Sequence, residues 1–322
     1  MKRERTNRPA ARGADFGPLM GTGAMLLLGV LLSPTLPFTL GAHVAAQAPA
    51  VGEDQQVVLV TGSTDGLGRE VARAVAGTGA HVIVHGRNRE RGMELVAEIE
   101  AEGVGSARFY AADFGELEQV RELARAILED YDRLDVLVNN AGIWLEADQG
   151  RVLSADGHEL HFQVNYLAGF LLTRMLLPLL VESAPGRIVN VASGAQSPLD
   201  FGNVNLDVGY TDGRAYGQSK LAQILFTVDL AQELEGTGVI ALSLHPATLM
   251  DTNMVLARGT APRSSVEDGK RAVMHLITGE GLESGTYFNG TNPARANAQA
   301  YDAEARAALR ELSAALAALE LR

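Results

Sequence analysis

Val57-Val58-Leu59-Val60-Thr61-Gly62-Ser63-Thr64-Asp65-Gly66-Leu67-Gly68 decides how the chain folds. Four consecutive apolar residues read as a strand buried on both faces, and three glycines punctuate the turn that leads into a stretch of helical period. A phosphate needs backbone N–H groups presented at close range at a helix N-terminus, and side chains at positions 62, 66 and 68 would keep it away. Strand, glycine turn and helix in that order predict a dinucleotide phosphate site built from Gly62, Ser63, Thr64, Asp65, Gly66, Leu67 and Gly68.

The alternation continues outward from that turn. Short apolar runs at Val57–Val60, His81–His85, Ala107–Ala111, Val136–Asn139, Arg187–Val191, Val239–Leu244 and Thr286–Phe288 read as strands. Stretches of helical period lie between them at Gly68–Gly77, Arg89–Glu102, Leu117–Asp130, Leu160–Glu182 and Tyr216–Glu235. Continuous apolar strands, each followed by a helix, imply an α/β doubly wound parallel sheet of the Rossmann type. No internal repeat or linker divides this body, so 49–322 is expected to be a single domain.

Composition narrows the function. The 322 residues carry a formal net charge of −12, and no basic cluster in the body is available to hold a nucleic-acid backbone. There is no cysteine, which excludes disulfides, thiolate metal sites and a cysteine nucleophile, and no metal site is expected. Residues 1–48 differ from the rest: a basic opening with Arg3, Arg5 and Arg8, an apolar run from Met25 to Leu32, and a small-x-small triplet at Ala46-Gln47-Ala48. That order is the order of a secretory signal peptide, with a membrane anchor as the alternative, although Pro34 and Pro37 interrupt a full span. Export or membrane association is therefore expected, against a cytoplasmic location, and sits awkwardly with a cofactor normally found inside cells.

The end of the second strand reads His85-Gly86-Arg87-Asn88. An acid at this place would hold the adenosine ribose hydroxyls of NAD, whereas Arg87 suits the extra phosphate of NADP, with Arg69 as a second cation. Asp65 places a negative charge near the same pocket and favours NAD. NADP is the expected cofactor and NAD the alternative.

Further along, Arg214-Ala215-Tyr216-Gly217-Gln218-Ser219-Lys220 sets a phenol and an amine one helical turn apart, so both leave the same face. An ammonium beside a phenol favours the phenolate and predicts a lowered Tyr216 pKa, suiting the tyrosine to proton transfer near neutral pH.

These residues resemble the short-chain dehydrogenase/reductase family. The glycine turn, Asn139-Asn140-Ala141-Gly142 after the fourth strand, Asn165 in the fourth helix, Ser193 after the fifth strand and Tyr216-x-x-x-Lys220 occur in the family's order between Val57 and Phe288. The run His161–Thr173, with Val164-Asn165-Tyr166-Leu167 at its centre, resembles the retinol-dehydrogenase-like branch, as does Gly285-Thr286-Tyr287-Phe288 with its Ala- and Leu-rich tail.

The resemblance implies a reversible hydride transfer between NADP(H) and a carbonyl or alcohol. Tyr216 would exchange the hydroxyl proton and Ser193 would steady the substrate oxygen. Lys220 would hold the nicotinamide ribose and tune the tyrosine, and Asn165 would support a water-linked proton path. Asp113, followed by Phe114, would meet the adenine, and Asn140, Ala141 and Gly142 would pass beneath the cofactor. One departure stands out. The family's Pro-Gly after the sixth strand is Pro246-Ala247 here, with one extra residue before Thr252, so Thr248 and Thr252 compete to meet the nicotinamide.

Trp144, Leu249, Met254, Val255 and Leu256 suggest an apolar small-molecule substrate, with Leu249–Arg263 as a mobile lid. A catalytically idle NADP-binding sensor or scaffold on the same fold is the rival reading, and it predicts damage to one of the four catalytic positions. None is damaged. Apolar faces on the fourth and fifth helices are compatible with a homodimer.

Overall fold

All four residues of β1 (Val57–Val60) and all six of β2 (His81–Gly86) are buried, as strands covered on both faces must be. The computed structural model describes residues 51–52, 54–145 and 149–320, so the leader read at 1–48 lies outside the described residues. The remaining strands are β3 (Ser106–Ala111), β4 (Val136–Asn139), β5 (Gly186–Val191), β6 (Val239–His245), β7 (Tyr287–Asn289) and β8 (Asn292–Ala294). They form one sheet in the order β3-β2-β1-β4-β5-β6-β7-β8. Pairing is parallel from β3 through to β7. Only β8 runs antiparallel, after a tight turn at Gly290, whose φ is 60°. This is the expected doubly wound α/β fold.

Helices cover both faces. On one side α1 (Gly66–Ala76), α2 (Arg89–Glu102) and α7 (Val266–Thr278) bury Val71, Leu95 and Leu276 against the sheet. On the other, α3 (Leu117–Asp130), α4 (Ala168–Glu182), α5 (Asp212–Glu233) and α8 (Ala303–Leu316) bury Leu123, Leu171, Leu225 and Leu309. A short α6 (Asn253–Leu256) follows β6.

Three features depart from the sequence expectation. The fourth helix opens with a π-helical turn, Phe162–Leu167, rather than running regularly from Leu160. Such turns insert an extra residue and re-aim side chains. Second, α7 has no counterpart among the predicted helices although Ser265 and Asp268 form a reciprocal capping box at its start. Third, α8 is tied to α5 by Arg310 and Asp229 at 2.7 Å, and to the π-helical turn before α4 by the Ser313 and Tyr166 hydroxyls at 2.7 Å. Part of the apolar face that was read as compatible with a homodimer is thereby occupied from within the chain.

Phe162–Glu182 is apolar and long enough to cross a membrane. Its apolar window is 72% buried inside the domain, which is the behaviour of a core helix.

Candidate active site

The strand order reverses between β1 and β4, and a crevice opens at their carboxyl ends. A cavity of about 740 Å³ occupies it, lined at one end by the glycine turn and at the other by Ser193, Tyr216 and Lys220. The two turns that leave β1 and β4 are clipped together. The Thr61 hydroxyl accepts from the Asn140 and Ala141 amides, each at 3.0 Å, and the Asn140 side chain donates to the Thr61 carbonyl at 2.8 Å. A Cβ on Gly62 would sit 2.7 Å from the Ala141 backbone, and one on Gly68 would sit 2.2 Å from the Gly62 carbonyl. These glycines therefore let two turns touch as well as leaving the helix end bare.

Beneath the turn lies His85, a residue that motif reading passed over. The Gly62 amide donates to its Nδ1 at 3.1 Å, and its Nε2 faces the Ala112 carbonyl at 3.2 Å. Those partners place the proton on Nε2. Burial pushes the imidazole down to about 4, so it stays an acceptor at neutral pH. A histidine closing a buried strand was the available signal.

At the end of the cavity bordered by the glycine turn and β2, the predicted residues separate. Arg87 is largely exposed at the cleft edge, 3.6 Å from Asp113. Arg69, expected as a second cation, turns away to pair with Glu98 at 2.6 Å. Arg91, which was not predicted, instead pairs with Asp65 at 3.1 Å, leaving that carboxylate compensated. Asp65 also accepts from the Asn253 side chain at 2.8 Å, tying α6 to the glycine turn. Thr64 stands over Gly86, where a Cβ would come within 2.6 Å of it.

Ser63 does not reach the cleft: it is fully buried and its hydroxyl donates to the Val60 carbonyl at 2.7 Å. Asp113 closes its own turn by accepting from the Gly115 amide at 2.9 Å, and Phe114 stacks on His85 with ring centroids 4.5 Å apart.

At the other end, α5 begins at Asp212, capped by the Thr211 hydroxyl, which accepts from the Arg214 amide at 3.1 Å. Tyr216 and Lys220 leave adjacent turns, and the Lys220 ammonium is 5.8 Å from the phenol ring centroid. Lys220 is 5% exposed and has no carboxylate partner among the described residues; it donates to the Val191 carbonyl and to Gln223 Oε1, each at 2.9 Å. Burial pulls its pKa down to about 7. The Tyr216 phenol is raised by burial, against a smaller lowering from a hydrogen bond with Ser193. The expected lowering by the lysine is therefore not found: burial outweighs the Ser193 hydrogen bond, and the ammonium lies 5.8 Å from the ring centroid.

Ser193 follows β5, and its hydroxyl accepts from the Ala195 amide at 3.1 Å. Asn165 sits in the π-helical turn and is bound on both sides to Ile143. It accepts from the Ile143 amide at 2.7 Å and donates to the Ile143 carbonyl at 3.1 Å and to Ser219 Oγ at 2.9 Å. A Cβ on Gly142 would lie 3.3 Å from Asn165 Oδ1 and 3.4 Å from Lys220 Nζ, so this glycine leaves open the space that the two polar groups share.

Trp144 lies flat on Tyr216, with centroids 4.9 Å apart and ring planes at 25°. Its other face carries Arg258, which reaches from the segment after α6 and pairs with Asp212. Thr248 and Thr252 both line the cavity. Thr248 bonds His245 at 3.0 Å, while the Thr252 methyl lies near Gly66. Between them Leu249 adopts φ 50°, a conformation costly for a side-chain-bearing residue.

The family model described as short chain dehydrogenase matches residues 56–262. The chain belongs to the short-chain dehydrogenase family. It is an NAD(P)-dependent oxidoreductase of alcohol and carbonyl groups, in the retinol-dehydrogenase-like branch. Human retinol dehydrogenase 11 is 37% identical over 261 residues, which cover 76% of this chain and 80% of that protein. Mouse retinol dehydrogenase 13 is 33% identical over 294 residues, covering 83% and 85%. Among solved structures, an uncharacterized protein from Mycobacterium paratuberculosis superposes with a TM-score of 0.69 at 29% identity, covering 83% of this chain and 95% of that one. A short chain dehydrogenase from Shigella flexneri 2a complexed with NADP gives 0.60 at 26% identity, covering 76% and 100%. In this family setting, the crevice of the dehydrogenase fold and the Ser193, Tyr216 and Lys220 cluster open on one cavity.

Proposed function

We propose that this dehydrogenase transfers a hydride between NADP(H) and an apolar alcohol or carbonyl compound, with Tyr216, Lys220, Ser193 and Asn165 as its working side chains. The observation that carries the reading is the single cavity joining the glycine turn to Ser193, Tyr216 and Lys220.

The residues fit a pyridine dinucleotide. Gly62 and Gly66 take φ 64° and 51° and keep the start of α1 free of side chains, where a diphosphate is favoured. Arg87, on the cavity lining with Thr64, supplies cationic charge at the adenosine end for a 2′-phosphate, while Arg91 neutralises Asp65 nearby. The short chain dehydrogenases from Shigella flexneri and Escherichia coli were solved with NADP and NADPH respectively. Bound NADPH supplies the hydride.

The chain's own groups do the rest. Tyr216 stays protonated at neutral pH because burial raises its pKa, so in the reducing direction it is a donor to the substrate oxygen. The Ser193 hydroxyl gives that oxygen a second hydrogen bond as negative charge grows on it. Two of the three donors of Lys220 are satisfied by Val191 and Gln223, and the third is left for ribose hydroxyls. Asn165 fixes the Ile143 peptide and keeps the floor beside Gly142 polar.

The wall opposite, formed by Trp144, Val164, Leu249, Met254 and Val255, is apolar and fits a hydrocarbon chain or ring. Titration of the protein with NADPH and NADH, followed by NADPH oxidation against a panel of aliphatic aldehydes and sugars, tests the reading. Tighter NADPH binding with turnover of the aldehydes supports it; turnover of sugars alone contradicts the apolar substrate.

A further inference from the structure

Glu159 and His161 form an ionisable pair with no exposed surface, and nothing in the mechanism above uses them. Glu159 Oε1 lies 2.8 Å from His161 Nδ1, and Oε2 accepts the Phe162 amide at 2.8 Å. The second imidazole nitrogen, Nε2, is 3.1 Å from the Leu145 amide. A backbone amide can only donate, so Nε2 is the acceptor and the ring proton resides on Nδ1, donated to the carboxylate.

A carboxylate that merely capped the π-helical turn would need no imidazole. Here the histidine carries the connection out of its own element to the segment leaving β4, at the residue after Trp144. That neighbour is the wall of the site. Trp144 stacks on Tyr216, and the His161 ring lies 6.4 Å from the Tyr216 ring with their planes near perpendicular, so both rings border the phenol. The Trp144 Nε1 has no hydrogen-bond partner among the described residues. Tyr216 on one face and the Arg258 guanidinium on the other hold the ring, and its place also depends on the backbone behind it, where Arg258 donates to the Leu145 carbonyl and His161 accepts from the Leu145 amide.

We infer that Glu159 and His161 are positioning residues: the carboxylate fixes the imidazole, the imidazole fixes the Leu145 amide, and Trp144 is thereby held against Tyr216 to orient the apolar substrate over the phenol. The inference rests on the proposed role of Tyr216 for its catalytic consequence, but not for its structural one.

Trp144 is the only tryptophan in the chain, so its emission reports its environment directly. His161→Phe keeps an aromatic ring and removes both hydrogen bonds, whereas His161→Gln restores an acceptor. In full-length protein, His161→Phe is expected to shift the Trp144 emission to longer wavelength and to raise KM for a medium-chain aldehyde about tenfold, with NADPH affinity within about twofold of wild type. His161→Gln should recover part of both changes. Glu159→Gln, which retains an acceptor but removes the charge, should give a smaller shift in the same direction and serves where His161→Phe does not fold.

A cooperatively folded His161→Phe, or Glu159→Gln in its place, with wild-type emission overturns the inference, and so does a shifted emission with unchanged KM. If wild type turns over no carbonyl compound while the emission still shifts on substitution, the proposed function falls and the positioning of Trp144 stands.

Discussion

The Lys220 ammonium donates to the Val191 carbonyl at 2.9 Å and faces no carboxylate among the described residues. A buried cation held only by neutral acceptors costs stability, and the cost is tied to its protonation. Its folded-state pKa of about 7 lies below the ordinary 10.5, so between those values the unfolded chain binds the extra proton. The contribution of this group to stability is therefore worst below about pH 7 and improves as pH rises toward 10. Lys220→Met should raise the melting temperature at pH 6 and flatten that dependence while abolishing turnover. Thermal melts of both proteins from pH 6 to 9.5, within roughly the interval separating the two pKa values, check it.

Acid should act on a different element. His81 and His85 are both held down to about 4 by burial, so the folded protein resists protonation that the unfolded chain accepts at its ordinary 6.5. Stability should fall as pH drops from about 6.5 to 4, and protonated His85 can no longer accept from the Gly62 amide. Loss of NADPH affinity that parallels this fall, and that is smaller in His85→Asn, would be seen by fluorescence titration across the same range.

Gly68→Ala places a methyl 2.2 Å from the Gly62 carbonyl and 2.4 Å from Asn140 Nδ2. Neither is the end of a flexible chain with room to yield, so the two clipped turns must part. A loss of about 2–3 kcal/mol in urea unfolding is expected, together with weakened dinucleotide binding.

Charge at the adenosine end should separate the two cofactors. Arg87→Ala is expected to weaken NADPH binding about tenfold and to leave NADH binding nearly unchanged, because only NADPH carries the 2′-phosphate. Equal losses for both nucleotides would mean that Arg87 meets the adenine rather than the phosphate.

Much of this was legible before the fold was seen, because its signals are local. The buried run Val57–Val60 and the glycines behind it announce a parallel strand and a helix entry in a dozen residues, and Tyr216 and Lys220 are one turn apart on any helix. What escaped depends on distant partners. The electrostatics of Tyr216 turn on how deeply the cavity buries it, and spacing carries no burial. Arg69 and Arg91 look alike along the chain; only the packing of α1 on α2 sends the first to Glu98 and the second to Asp65. Ser63 belongs to the glycine turn by position and to the strand by hydrogen bonding. The capping box at Ser265 and Asp268 was local, and shows that α7 could have been read.

The most direct test of the central claim pairs two readouts on Tyr216→Phe: NADPH oxidation with a medium-chain aldehyde, and NADPH affinity by fluorescence titration. The account predicts turnover lower by about 10³-fold with nucleotide affinity essentially kept, since it assigns the donated proton to the phenol hydroxyl. Near wild-type turnover in that variant would contradict it.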